Sequence, residues 1–206
     1  MAEHSWNDNY ASGELPWDTG TPEPALVAFV QAGAMARGRA LEIGAGRGTN
    51  ARWLAEQGFD VLGIDIAPLA VEQARDRTTG AIASRCRFEV HDFLADPPEG
   101  SFAFVFDRGC FHVFDDADDR ARFAANVARV LAPGGVWLSL IGSTEGPARD
   151  EGPPRRTARD VAEAVEPVLA IQELAAVYFD GTSPPAAAWR CVTRTRTVQA
   201  QLSTGH

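Results

Sequence analysis

The sequence predicts an α/β fold: a three-layer sandwich whose seven-stranded sheet is mostly parallel, with an antiparallel strand near the C-terminus. Three observations carry that expectation. Short apolar runs alternate with helical periodicities from residue 39 to residue 141, the pattern of strands joined by crossover helices. A glycine-rich turn, Gly44–Gly48, follows the first run. Two β-like runs, 168–179 and 188–196, then close the fold as an antiparallel edge hairpin joined by a Gly/Pro-rich turn.

Residues 1–24 hold Trp6, Tyr10, Trp17 and several Gly and Pro, and read as an irregular, partly helical arm. Residues 24–36 read as a helix with Leu26, Phe29 and Val30 on one face. The first strand is 39–43, and a helix follows from Asn50 to Gln57, stopped by Gly58. Strand 60–64 ends at Asp65, and Pro68 opens the next helix, because the fixed φ of proline suits a first turn; it runs to Arg77. Strands are expected at 86–90 and 102–106. A helix is expected over Asp118–Leu131, with Phe123, Val127 and Val130 at helical spacing, stopped by Pro133-Gly134-Gly135. Strand 136–141 precedes a polar, breaker-rich lid loop, 143–156. Thr157 and Asp160 form a capping-box signature for a helix to Val165. One domain is expected over 1–197, with 1–36 as a cap arm and helix and 198–206 as a frayed tail.

Composition excludes several functions. The 19 basic and 28 acidic residues give a net charge of −9, which opposes a nucleic-acid partner. Every basic residue is arginine, so a Walker-type phosphate lysine and a Schiff-base lysine are excluded. Apolar runs fall far short of the ~20 residues that span a bilayer. The N-terminus, MAEHSWNDNY, has no signal-peptide pattern, so the expectation is a cytoplasmic protein without a membrane partner, as a monomer or weak homodimer. Cys86, Cys110 and Cys191 are far apart and lack a CxxC spacing, so no metal site is expected. No GxSxG nucleophile elbow occurs. Arginine-only usage with abundant Ala and Gly suggests a GC-rich bacterial source.

The chemistry concentrates at strand ends. Gly44-Ala45-Gly46-Arg47-Gly48 lets the backbone turn tightly beside a ligand, but Thr49 stands where a dinucleotide fingerprint has its third glycine. Glu42 interrupts the first strand, and a buried carboxylate there requires a donor or a cation. Four acids, Glu42, Asp65, Asp92 and Asp107, stand at or near the ends of the first four strands, where open parallel sheets bind ligands. Such a crevice repels a pyrophosphate and suits a cation bearing hydroxyls and amines. S-adenosylmethionine fits: Glu42 with Gly44, Ala45 and Gly46 faces the methionine end, Asp65 the ribose, and Asp92 with Phe93 the adenine, with Ile66 next to Asp65 as a further cofactor contact.

LEIGAGRGTN, GIDIAP, the HDF after the third strand, FVFDRG and the LAPGG turn resemble the motif series of class I S-adenosylmethionine-dependent methyltransferases over residues 38–142. The resemblance implies a Rossmann-like fold. Trp6, Tyr10, Pro16-Trp17-Asp18-Thr19-Gly20 and Asp107-Arg108-Gly109 further resemble the thiopurine and thiol/halide methyltransferases, although Tyr10 replaces the usual tryptophan. It implies that Tyr10 and Trp17 cover cofactor and acceptor, that Asp107 lies near the cofactor and that Arg108 borders the site. Phe111-His112-Val113-Phe114 departs from the thiopurine pattern and resembles related bacterial small-molecule methyltransferases.

The resemblance implies methyl transfer to a small-molecule acceptor, and a site without a convincing base favours a thiol or other soft nucleophile. Trp17, Arg108, Phe111 and His112 are the candidate acceptor contacts. The alternative is O- or N-methylation with His112 as base. Another class is a protein that binds the cofactor without catalysis; a NAD-dependent oxidoreductase is opposed by Thr49 and Glu42. Each site residue has a bland counterpart: Asp92 as a helix cap, Asp107 paired with Arg108, Phe111 in the core, His112 bonded to a backbone group.

Overall fold

In the computed structural model, which describes residues 6–33, 35, 37–147, 152–181 and 185–196, the first predicted strand is the centre of the sheet. That strand, β1 (Arg39–Ile43), pairs in parallel with β2 (Asp60–Asp65) on one side and β4 (Phe102–Arg108) on the other. β3 (Cys86–Val90) lies outside β2, and β5 (Leu131–Gly142) lies beyond β4. β7 (Ala187–Thr195) then inserts antiparallel between β5 and β6 (Leu169–Tyr178), giving the order β3-β2-β1-β4-β5-β7-β6. The predicted seven-stranded, mostly parallel sheet is present, with β7 as its antiparallel member and β6 as the edge.

Helices cover both faces, so the central strands are apolar on both sides. Ala40, Phe104 and Phe106 pack with Leu26 of α2 (Pro24–Gln31), Leu54 of α3 (Thr49–Glu56) and Val71 of α4 (Pro68–Asp76). Leu41, Ile43 and Val105 face the opposite core, with Phe123 of α5 (Ala117–Val130), Val161 of α6 (Ala158–Val165) and Trp137. A seventh-strand insertion and two cores leave one common rim, the carboxyl ends of β1, β2, β3 and β4.

Boundaries differ from expectation at a few points. The arm contains α1 (Trp6–Ser12), and α2 stops at Gln31 rather than 36, just before Gly33 turns the chain at φ +71°; residues 34 and 36 lie outside the described set. α5 ends at Val130, and Leu131 already pairs with Phe102. The Pro-Gly-Gly run, read as a helix stop, is instead an irregularity inside β5, taken up by the register shift between Phe102 and Phe104. The Thr157–Asp160 capping box forms, with Asp160 N donating to Thr157 Oγ1 at 3.1 Å and Thr157 N donating to Asp160 Oδ2 at 2.7 Å. The base of the 143–156 loop is closed by a bridge between Ser143 and Arg156. Residues 148–151 of that loop and the tail 198–206 lie outside the described residues. Among the described residues no helix is long and apolar enough to cross a membrane, and no group of three or more His, Cys, Asp or Glu is placed to hold a metal ion.

Candidate active site at the carboxyl ends of the strands

The glycine turn leaves β1 with three left-handed residues, Gly44 at φ +67°, Gly46 at φ +53° and Gly48 at φ +75°. A Cβ on Gly46 would stand 2.9 Å from Tyr10 Oη, so that position needs glycine for both conformation and space. Asp65 at the end of β2 ties the turn down. Its Oδ2 accepts from Gly46 N at 2.8 Å and its Oδ1 from Ala67 N at 2.9 Å. Burial raises the Asp65 pKa above the ordinary value, opposed by these amide donors.

Glu42 lies beneath the turn and is 2% exposed. Asn50 Nδ2 donates to its Oε1 at 3.0 Å, while Oε2 has no hydrogen-bond partner among the described residues. Burial pushes the carboxyl up to about 8, with Asn50 acting in the opposite direction. The residue lines a cavity of about 70 Å³ between the turn and the arm, together with Tyr10, Trp17, Gly46 and Arg108. A buried acid with one oxygen unmade is a receptor for a donor, above all a cationic one.

The arm is held over this cavity by long-range contacts. Trp17 meets Tyr10 edge-on at 6.4 Å and Trp6 at 5.7 Å between ring centroids. Arg47, within the glycine turn, pairs with Asp18 at 3.1 Å. Arg108, at the end of β4, donates to Glu23 Oε2 at 2.6 Å, to the Trp17 carbonyl at 3.2 Å and to the Asp180 carbonyl at 3.0 Å. Burial first, then the charge of Asp65, pushes the Tyr10 phenol far above its ordinary range.

The sequence profile of the thiopurine S-methyltransferase family matches residues 1–194, arm included. The chain belongs to the thiopurine S-methyltransferase family. It is 32% identical over 158 residues to a probable thiol methyltransferase 2 of Arabidopsis thaliana, covering 75% of this chain and 69% of that protein. It is 30% identical over 167 residues to thiocyanate methyltransferase 1 of Brassica oleracea, covering 80% of this chain and 72% of that protein. A solved structure described under the conversion of a disulfide bond into a thioacetal group during echinomycin biosynthesis superposes with a TM-score of 0.76 at 28% identity, covering 94% of this chain and 91% of that one. Solved methyltransferases of the same fold hold S-adenosylhomocysteine.

As a member of this family the chain is an S-adenosylmethionine-dependent methyltransferase. The site chemistry fits that cofactor on its own terms, since the unmade Glu42 Oε2 suits an ammonium group and Gly44 and Gly46 add no side chain of their own beside it. The sequence candidates separate into three groups. Tyr10, Trp17, Glu42, Gly44, Ala45, Gly46 and Arg108 come together around the cavity. Ile66 is 49% exposed, and Val90, which follows from the Asp65–Val90 register, is 48% exposed beside it. Asp92 caps its own turn, accepting from Leu94 N at 2.9 Å, although a turn and not the helix of its bland counterpart follows it.

Asp107, Phe93 and Phe111 point elsewhere. Asp107 accepts from Trp137 Nε1 at 2.9 Å and from the Cys110 and Phe111 amides at 3.1 Å each. Burial raises it to about 6, held back by its donors. Phe93 and Phe111 both pack on Phe123, at 4.9 and 5.8 Å between centroids, inside the α5 core. His112 is buried too, and its Nδ1 accepts from Gly142 N at 2.6 Å.

Glu23, Asn50, Asp18 and Arg47 were not among the sequence candidates, yet they line the same cavity. Asn50 bridges the site, accepting from Glu23 N at 2.9 Å while donating to Glu42. Glu23 before Pro24 carries only the signal of a helix N-cap, which it is.

Proposed function

We propose that this methyltransferase acts on the sulfur of a small organic thiol. The observation that carries the reading is the engagement of His112. A neutral imidazole has one accepting nitrogen, and in His112 that nitrogen takes the Gly142 amide. To act as a base the ring must first give up this buried bond. A phenol or amine acceptor needs such a base, whereas a thiol with a pKa of about 8.5 ionises substantially unaided. The names of the plant relatives, a thiol and a thiocyanate methyltransferase, are in keeping with a sulfur acceptor.

Bound S-adenosylmethionine supplies a methyl group on a cationic sulfur, so the protein has to align, cover and exclude water rather than activate a leaving group. In this reading Glu42 and the Gly44–Gly46 turn hold the methionine end. Asp65 serves the ribose, Ile66 and Asp92 the adenine end, and Tyr10 and Trp17 form the cover. The cavity of about 70 Å³ is well below the ~300 Å³ of a small-molecule site, so the arm lifts for entry and recloses. The acceptor enters from a neighbouring pocket of about 650 Å³ walled by Pro24, Pro147, Tyr178, Phe179 and Pro185.

The test measures S-adenosylhomocysteine formation with thiophenol and phenol in parallel. Turnover of thiophenol that persists in His112→Ala is expected. Turnover of phenol that is lost in His112→Ala would overturn the reading in favour of base-assisted O-methylation.

A further inference from the structure

Arg108 borders the glycine-turn cavity and lies against Phe179 of the neighbouring pocket, where a free cation would welcome an anionic acceptor, and the structure leaves it little to offer. Its Nε gives a 2.6 Å hydrogen bond to the Glu23 carboxylate. Its two terminal nitrogens serve the Trp17 and Asp180 carbonyls. The guanidinium lies over the Phe179 ring at 5.0 Å from the centroid. All three nitrogens are therefore engaged, and the charge is cancelled by a carboxylate whose side chain is 3% exposed. Of these anchors only Trp17 belongs to the segment that must lift. Glu23 is held independently as the N-cap of α2, with Oε1 on Ala25 N and its own amide on Asn50. Glu23 borders both the glycine-turn cavity and the apolar pocket, so it stands between cofactor and acceptor.

We propose that Glu23 is a specificity-determining residue: by neutralising Arg108 it keeps small inorganic anions out of the acceptor site and leaves the site to neutral organic thiols. This rests on the thiol reading above. Desolvating an anion requires a compensating cation, and a cation already committed to a carboxylate supplies none. An organic thiol with a pKa of about 8.5 is mostly protonated at neutral pH, so it enters in its uncharged form and contributes apolar surface to Pro24, Phe179 and Pro185 instead. For either acceptor the sulfur lone pair forms the bond to the methyl carbon as the carbon–sulfonium bond breaks, its electron pair returning to the departing sulfur. A thiol also releases its proton to water.

The test titrates sodium thiocyanate by calorimetry into wild type, Glu23→Gln and Glu23→Gln/Arg108→Gln, each saturated with S-adenosylhomocysteine, at constant ionic strength. Glu23→Gln is expected to bind thiocyanate about tenfold more tightly than wild type, the scale of one charge-assisted contact, and the double variant to lose the gain. The kcat/KM ratio of thiocyanate to thiophenol should rise in parallel. Wild type binding thiocyanate as tightly as Glu23→Gln, or a gain that survives loss of Arg108, overturns the proposal. If Glu23→Gln fails to fold, Arg108→Gln decides: thiocyanate affinity unchanged from wild type supports the proposal, and a marked fall overturns it. A thiocyanate gain without any thiophenol turnover would sink the thiol reading and leave the neutralisation of Arg108 standing.

Discussion

Glu42 and Asp107 stand at the carboxyl ends of neighbouring strands, one residue out of step: Glu42 pairs with Phe106 and Ile43 with Asp107. Both are buried carboxylates, yet the fold treats them oppositely. Asp107 is completed by Trp137 and two backbone amides, and its pKa rises only to about 6. Glu42 receives Asn50 on one oxygen, keeps the other unmade, and rises to about 8. A carboxylate satisfied by its own chain holds the structure together. One left incomplete beside a cavity costs the ligand-free fold, and under the proposed function it is the one that meets the ligand.

The largest expected effect falls on the completed acid. Asp107→Ala strands three N–H donors, two of them on the turn that carries His112, and should lower unfolding stability by about 3 kcal/mol or more; the urea midpoint reads this. Glu42→Gln should do the reverse. Unfolding stability at pH 7 holds or rises, while affinity for S-adenosylhomocysteine falls about tenfold or more, measured by calorimetry. A Glu42→Gln protein that loses stability but binds normally would erase the contrast between the two acids.

The pH dependence sharpens the same contrast. Over the window from 4.5 to about 8 the folded chain keeps a proton on Glu42 that the unfolded chain has lost. Stability of the ligand-free protein therefore falls as pH rises through that window. Asp107 contributes a similar fall between 3.8 and about 6. Glu42→Gln should flatten the profile between about 6 and about 8 and make it shallower between 4.5 and about 6, where only the Asp107 contribution is kept, as denaturation midpoints across pH will record. Binding of a cationic ligand ionises Glu42, so wild type should release a proton on binding below about pH 8. The smallest effect is expected for Asn50→Ala, about 1 kcal/mol of stability, with a modest loss of ligand affinity because Glu42 and the Glu23 amide each lose a partner.

Much of the fold was legible because its signals are local. Strand and helix periodicities, Pro68 at a first turn and the Thr157–Asp160 box each involve residues a few positions apart. The Pro133–Gly135 run was misread because a helix stop and a strand irregularity use the same residues. The cavity was legible where a strand-end rule applied, as for Glu42, which lines it. It was not legible where partners come from afar. Asp107 gets its indole donor from Trp137, and Arg108 its carboxylate from Glu23, 85 residues away. An aromatic beside a strand end, such as Phe93 or Phe111, reads alike whether it faces ligand or core.

By itself, then, the sequence determined the layer architecture, the glycine turn and the row of acids at the strand ends, because these follow from steric and periodic constraints within short windows. Only the tertiary structure decided which acid is complete and which is open, which aromatics are core, that Arg108 is already paired and that His112 has its acceptor nitrogen occupied. Those properties depend on how many partners reach a buried polar atom. Elements distant in sequence settle that number when they pack.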